Sequence, residues 1–257
     1  PMFLWLAVFA VLLAVFVVVM LAFAVVKTVR GSRNLYRQPV DPQVSLTSAD
    51  DPDAAEEFTA VVERVAGALR PLGFSSPVYV RNQSVIGPVV VALMNNGRTK
   101  TIARLASTRG GNPVTRIMGP GFATGFVDDS QHYTMTLTEA QYRSSNFVQT
   151  KGSTRLILLD VDDPALLVRL HEEAVERRIT GRRTPISWDP VELQREVVRR
   201  DCEARVRAGA ISRDGDAYRM TYRGAFKTIF LMIPPFPQLR VRAARRNTAK
   251  ALRELSA

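Results

Sequence analysis

The chain has 257 residues, 46% of them apolar, a net charge of +11, two histidines and one cysteine. A lone cysteine excludes a disulfide framework, and the two histidines, with no Cys or His near them in sequence, lack the ligand spacing of a zinc site. The apolar content excludes a disordered chain, so a buried core has to be found.

The first element is an apolar run. Met2 to Val26 carry no charge, and a helix of that length reaches about 37 Å, enough for a hydrocarbon core of about 30 Å. The sequence therefore predicts a transmembrane anchor over residues 1–27. Ala22-Phe23-Ala24 resembles a signal-peptidase site, but no basic n-region precedes the run and its length exceeds a usual h-region, which favours an uncleaved anchor. Phe9, Phe16 and Phe23 recur along one stripe, Ala7, Ala10 and Ala14 leave a smooth patch for a neighbouring helix, and Trp5 is an interfacial aromatic. Lys27, Arg30, Arg33 and Arg37 follow with no acid among them. Basic flanks stay inside, so the expected location is a bacterial-type inner membrane with the N-terminus outside and the domain cytoplasmic. The single Cys202 suits that reducing compartment.

Residues 28–50 read as a basic stub and a Pro-, Ser- and Asp-containing linker. The domain is expected over 51–224. Asp51-Pro52 looks like a helix cap with Pro at the first position, and Phe58, Val61, Val62, Val65 and Leu69 follow at helical spacing up to Arg70-Pro71. The same start recurs at Asp163-Pro164, before Leu166, Leu167, Leu170, Ala174 and Val175, and at Asp189-Pro190, before Leu193, Val197 and Val206. Between the first two helices the periodicity turns to β over 77–81, 85–94, 99–105, 114–118, 121–127, 132–138 and 155–159. Grouped strands flanked by helices predict an α+β fold: one N-terminal transmembrane helix, then a cytoplasmic antiparallel β-sheet domain with three helices.

The charge is concentrated at the two ends. Residues 1–37 hold four basic residues and no acid, and residues 217–257 hold nine against Glu254 alone. The remaining 38–216 have 22 basic and 23 acidic residues and are nearly neutral. Within 225–257, a short apolar run, 225–233, precedes Pro234-Pro235-Phe236-Pro237 and a basic segment. Nine residues cannot cross a bilayer; they complete the core as a strand or helix, or contact a membrane surface or partner through Phe226, Phe230, Phe236, Arg240, Arg242, Arg245 and Arg246.

Asp214-Gly215 marks a hairpin after the third helix. Helix, hairpin and Tyr222-Arg223-Gly224 together resemble the recognition helix and wing of winged-helix domains, which implies DNA contact through Arg195, Arg199, Arg200 and Arg213. Glu192, Glu196, Asp201 and Glu203 share that helix and cancel its field.

No motif specifies a reaction. His132 follows Asp128, Asp129 and Ser130, which read as a turn rather than a hydrolytic set, and Asp160, Asp162 and Asp163 read as a helix cap rather than a magnesium site. The Gly-rich stretch 119–125 lacks phosphate-loop spacing and reads as a turn. No cofactor or metal site is expected. The layout of one helix with its N-terminus outside and a β-rich cytoplasmic domain is similar to the H subunit of purple-bacterial reaction centres; only the layout matches, which makes a photosynthetic assembly one example among respiratory, secretion and envelope complexes. The sequence thus points to a non-catalytic single-pass subunit that scaffolds a membrane complex, with integral membrane proteins and lipid, including anionic lipid, as partners. The rivals are a membrane-anchored enzyme using Asp160, Asp162 and His132, and a tethered nucleic-acid or lipid-surface binder.

Overall fold

Alternating apolar residues build the centre of the molecule. The computed structural model describes residues 13, 15, 16, 19, 20, 23–31, 33, 36–84, 87–109, 116–125, 131–144, 153–178, 183 and 189–256. Its main sheet has seven strands in sequence order: β2 (Val44–Thr47), β3 (Val78–Ser84), β4 (Gly87–Asn96), β5 (Thr101–Ser107), β6 (Ile117–Gly125), β7 (Gln131–Leu137) and β8 (Ser153–Leu159). In β4, Val90, Ala92 and Met94 face one core while Val91 and Leu93 face another. Both faces of the sheet are thereby buried at its centre, which explains why the run reads as continuously apolar.

Helices α1 (Phe58–Leu69) and α3 (Pro164–Arg178) cover the first face. Phe58, Val62, Val65 and Leu69 of α1 and Leu167 and Leu170 of α3 pack with Leu105, Phe122 and Leu158 from the sheet. Phe122 meets Phe74 edge-on at 6.1 Å between centroids, an arrangement that adds to simple area burial. Helix α4 (Pro190–Arg207) lies on the second face, where Leu193 joins Val80, Val91, Leu93 and Ile102. Arg155 of β8 also reaches Asp201 of α4 at 2.9 Å.

A smaller three-stranded sheet follows the order β1 (Arg37–Pro39), β10 (Ala217–Met220), β9 (Ile211–Asp214). The predicted hairpin at Asp214-Gly215 is the β9–β10 connection. Helix α5 (Tyr222–Phe230) leaves it directly, and α6 (Phe236–Ser256) runs back along the free edge of β8. There Leu159 N–H donates to Thr248 Oγ1 at 3.0 Å, so an edge donor is satisfied from outside the sheet.

The expected architecture needs correction on three counts. Among the described residues no helix is long and apolar enough to cross a membrane. Helical backbone recurs between Leu13 and Arg33 and is continuous over 23–31, where Lys27 and Arg30 interrupt the apolar run; most of the predicted anchor lies outside the described residues. The sheet is mixed rather than antiparallel, because β7 and β8 pair in parallel. Helix α2 (Glu139–Ser144) sits in the crossover that returns the chain to the same end of the sheet. Finally, α2, α5 and α6 add to the three helices the sequence predicts.

Smaller differences have local causes. Asp51-Pro52 does not cap α1, which begins seven residues after Asp51, at Phe58. Instead Asp51 is buried in a turn, accepting from Asp53 N–H at 2.9 Å and from the Thr47 hydroxyl. Asp189 behaves as predicted, accepting from Val191 and Glu192 N–H, and Asp163 accepts from Ala165 N–H. The stretch 119–125 is not a turn: it lies inside β6, whose pairing with β5 is irregular between Arg104 and Ala106.

Candidate functional site

Two arrangements stand out, one buried and one exposed. The buried one joins the two histidines. His132 and Thr134 in β7, Thr124 in β6 and Thr101 in β5 point to the same face of the sheet, and His171 of α3 descends onto them. All five are fully buried. The two imidazoles lie 5.3 Å apart between centroids. Buried polar side chains of this kind are tolerated only when hydrogen-bonded, and here each step of the bonding fixes the next.

Glu172, beside His171 on α3, is held by Arg183 Nη1 at 2.7 Å from its Oε2. A carboxylate only accepts, so Thr101 donates its one hydroxyl hydrogen to Glu172 Oε1 at 2.7 Å. Thr101 must then accept from Thr124 Oγ1 at 3.0 Å. With its hydrogen committed, Thr124 accepts from His171 Nε2–H at 2.9 Å. Burial, reinforced by neighbouring His132 and Arg183, holds the His171 pKa well below its ordinary 6.5, so the ring is neutral and Nδ1 carries a lone pair. Thr134 Oγ1 donates to that Nδ1 at 3.0 Å and accepts from His132 Nε2–H at 3.1 Å. Every hydrogen along the path from His132 to Glu172 therefore points toward the carboxylate.

The chain makes folding sensitive to acid. Below about pH 6.5 the unfolded protein takes up a proton on His171 that the folded protein refuses, so stability falls with pH over the window from 6.5 down to the depressed folded value. Above that window the contribution is constant. Urea unfolding near pH 5 should therefore show less stability than near pH 7 from this group. A His171→Gln variant should lose that part of the pH slope; an unchanged slope would show that His171 protonates freely in the fold.

The exposed arrangement is the tip formed by α5, the 231–235 connection and the start of α6. Phe226, Phe230, Met232, Ile233 and Leu239 are all exposed. Phe230 lies 6.1 Å from Phe226 and 4.1 Å from Phe236 between centroids. The run 225–233 is therefore the end of helix α5, up to Phe230, and the turn after it, with its aromatic side chains facing outward rather than completing the core as a strand or helix. Thr221 caps this helix by accepting from Gly224 N–H at 2.9 Å.

The predicted site residues divide between these surroundings. Trp5 and Phe9 lie outside the described residues, whereas Phe16, Phe23, Lys27 and Arg30 are exposed on helical backbone. The Arg33 guanidinium stands 4.4 Å over the Tyr222 ring, which brings the end of the N-terminal helical segment against α5. Arg37 pairs with Asp216 at 3.5 Å on the surface. Arg240 covers the Tyr142 ring at 4.9 Å and Arg245 pairs with Glu139, while Arg242 and Arg246 are exposed.

The rival enzymatic set is not brought together. His132 is level with Thr154 in the parallel β7–β8 pair, so Asp160, six residues farther on and just past the end of β8, lies roughly 20 Å away at strand rise. Asp160 and Asp162 are exposed, and Asp128, Asp129 and Ser130 lie outside the described residues. Among the described residues no three His, Cys, Asp or Glu side chains converge as a metal site. On α4, Arg195, Arg199 and Arg200 each pair with a glutamate of the same helix, so the stripe that resembles a recognition helix is electrostatically compensated. Cys202 is buried against Tyr36 and Tyr218, and burial with Asp201 nearby pushes its thiol up to about 11.

Sequence reading placed His132 on a strand and His171 on a helix but did not join them. The one legible signal was polar residues, Thr124, His132, Thr134 and His171, standing where the periodicity of each element calls for core. The chain matches no protein family, no curated protein and no solved structure with which it was compared.

Proposed function

We propose that this protein is a non-catalytic subunit held at a bacterial-type inner membrane by its apolar N-terminal stretch, with the α+β body on the cytoplasmic side stabilising a larger membrane protein assembly. The observation that carries this reading is the placement of exposed apolar surface. Phe16, Val19, Met20, Phe23 and Val26 are all about half exposed or more, and the segment bearing them ends against the equally apolar tip through the Arg33–Tyr222 contact. Exposed apolar surface of this kind marks contact with lipid or protein.

The buried chemistry supports the same reading. His132 and His171 have no exposed surface, so a substrate in solution cannot touch them. Among the described residues, a hollow between α3 and α6, lined by Leu156, Leu170, Glu173, Ala174, Arg177, Ala251 and Glu254, has a volume of about 20 Å³, room for about one water.

Blue-native electrophoresis of gently solubilised membranes tests the proposal. The chain should migrate in a band well above its own 28.5 kDa, together with other membrane proteins. Migration only as a monomer would remove the scaffolding role, and recovery in the soluble fraction would remove membrane attachment.

A further inference from the structure

We infer that the α5–α6 tip is a second lipid contact, one that lays its aromatic cluster into the headgroup layer of an anionic leaflet while α6 lies along the surface; this rests on the membrane attachment proposed above. The geometry of α6 sets its orientation. Val241, Ala244, Thr248 and Ala251 are buried against the body. Leu239, Arg242, Arg246, Lys250 and Arg253 follow at spacings of three and four residues on the opposite side. The helix thus carries a cationic stripe, Arg242 to Arg253, about 17 Å long facing away from the protein.

The tip supplies the apolar half. From Tyr222 to Arg246 there are six basic residues and no acidic one, and Tyr222, Phe226, Phe230, Met232, Ile233 and Leu239 are each at least 42% exposed. Aromatic and aliphatic side chains ringed by Arg and Lys are the composition of interfacial segments that seat in the headgroup boundary. Arg245 is paired with Glu139 and Lys250 lies 3.6 Å from Glu254, but cations remain in excess, and anionic lipid is favoured over a protein partner because each cation near an anionic leaflet gains on its own. The tip also lies near the chain's apolar entry: Arg33 touches Tyr222, and Val26 is seven residues before Arg33. Lipid around residues up to 26 would leave the tip at the height of the headgroups.

The full chain carrying Ile233→Cys, or Met232→Cys as a second position, is labelled with a polarity-sensitive fluorophore and placed in nanodiscs of phosphatidylcholine with or without phosphatidylglycerol. Cys202, buried and protonated, stays unlabelled. With phosphatidylglycerol the probe should shift to the blue and be quenched by headgroup-level nitroxide lipid, whereas a probe at exposed Arg64→Cys should not. Arg242→Glu with Arg246→Glu should lower the ratio of docked to undocked tip about fivefold or more per charge. A tip probe as hydrated as the Arg64 probe in both lipids would overturn the inference while leaving membrane attachment intact. Protection of the tip only when another protein co-purifies would also overturn it. A chain that never enters the discs would instead remove attachment itself, and the inference with it.

Discussion

Thr134→Val should destabilise the fold by about 2–4 kcal/mol although it changes the shape of the side chain very little. The hydroxyl is the hinge of the directed chain: it donates to His171 Nδ1 and accepts from His132 Nε2–H. Valine does neither, so both rings lose a partner inside a fully buried cluster. Each buried polar group left without a bond costs about 1–3 kcal/mol, more than the mean value of a bond made, because the water it had when unfolded is not replaced. Thr134→Ser keeps the hydroxyl and loses one methyl, a change of about 1 kcal/mol. Urea denaturation near pH 7 separates the two. Equal stability of the valine and wild-type proteins would mean that the hydrogens do not run in the order derived above. Nitrogen NMR of the histidine rings gives a second check, since His171 should carry its hydrogen on Nε2 alone.

The same chain explains what α3 contributes beyond apolar burial. Its His171 bonds β6 and β7 and its Glu172 bonds β5, so one helix is fastened across three strands. These directed bonds fix the register of α3 on the sheet.

How far the sequence could be read depended on whether the deciding interaction was local. Helix starts at Asp163-Pro164 and Asp189-Pro190 and the Asp214-Gly215 turn are set within four residues, and each was legible. Asp51-Pro52 has the same residues but a different outcome, because Asp51 is held by Thr47, and Ala55 N–H donates to the distant Ser107 hydroxyl. Short strands β1 and β2 were hidden in apparent linker, since three or four residues carry no periodicity and exist only through pairing with β10 and β3. The parallel placement of β8 was illegible for a related reason: alternation specifies a strand but not its neighbour's direction. Of the exposed site, composition revealed the basic tail and the phenylalanines, yet whether 225–233 turned its rings inward depended on the hairpin that α5 packs against.

That packing sets up the second large effect. In an ordinary helix, replacing glycine by alanine is worth up to about 1 kcal/mol of added stability. Gly224→Ala should do the opposite and cost about 3 kcal/mol or more. A Cβ at Gly224 would stand 2.0 Å from the Ala210 carbonyl oxygen and 2.8 Å from its carbon. Both are backbone atoms at the start of β9, so no rotamer change can relieve the clash. Ala210 is also tied in place, because Thr221 N–H donates to its carbonyl at 3.0 Å and Thr221 Oγ1 donates to Gly209 O at 2.7 Å. Helix α5 would have to lift away from β9, breaking its Thr221 cap and exposing Ala225, which is completely buried. Thermal unfolding should show the loss, and limited proteolysis should cut first within 222–239, since the body retains its own core. If the alanine protein melted at or above the wild-type temperature, α5 would not seat on Ala210, and nothing would hold the aromatic tip in the position from which it reaches lipid.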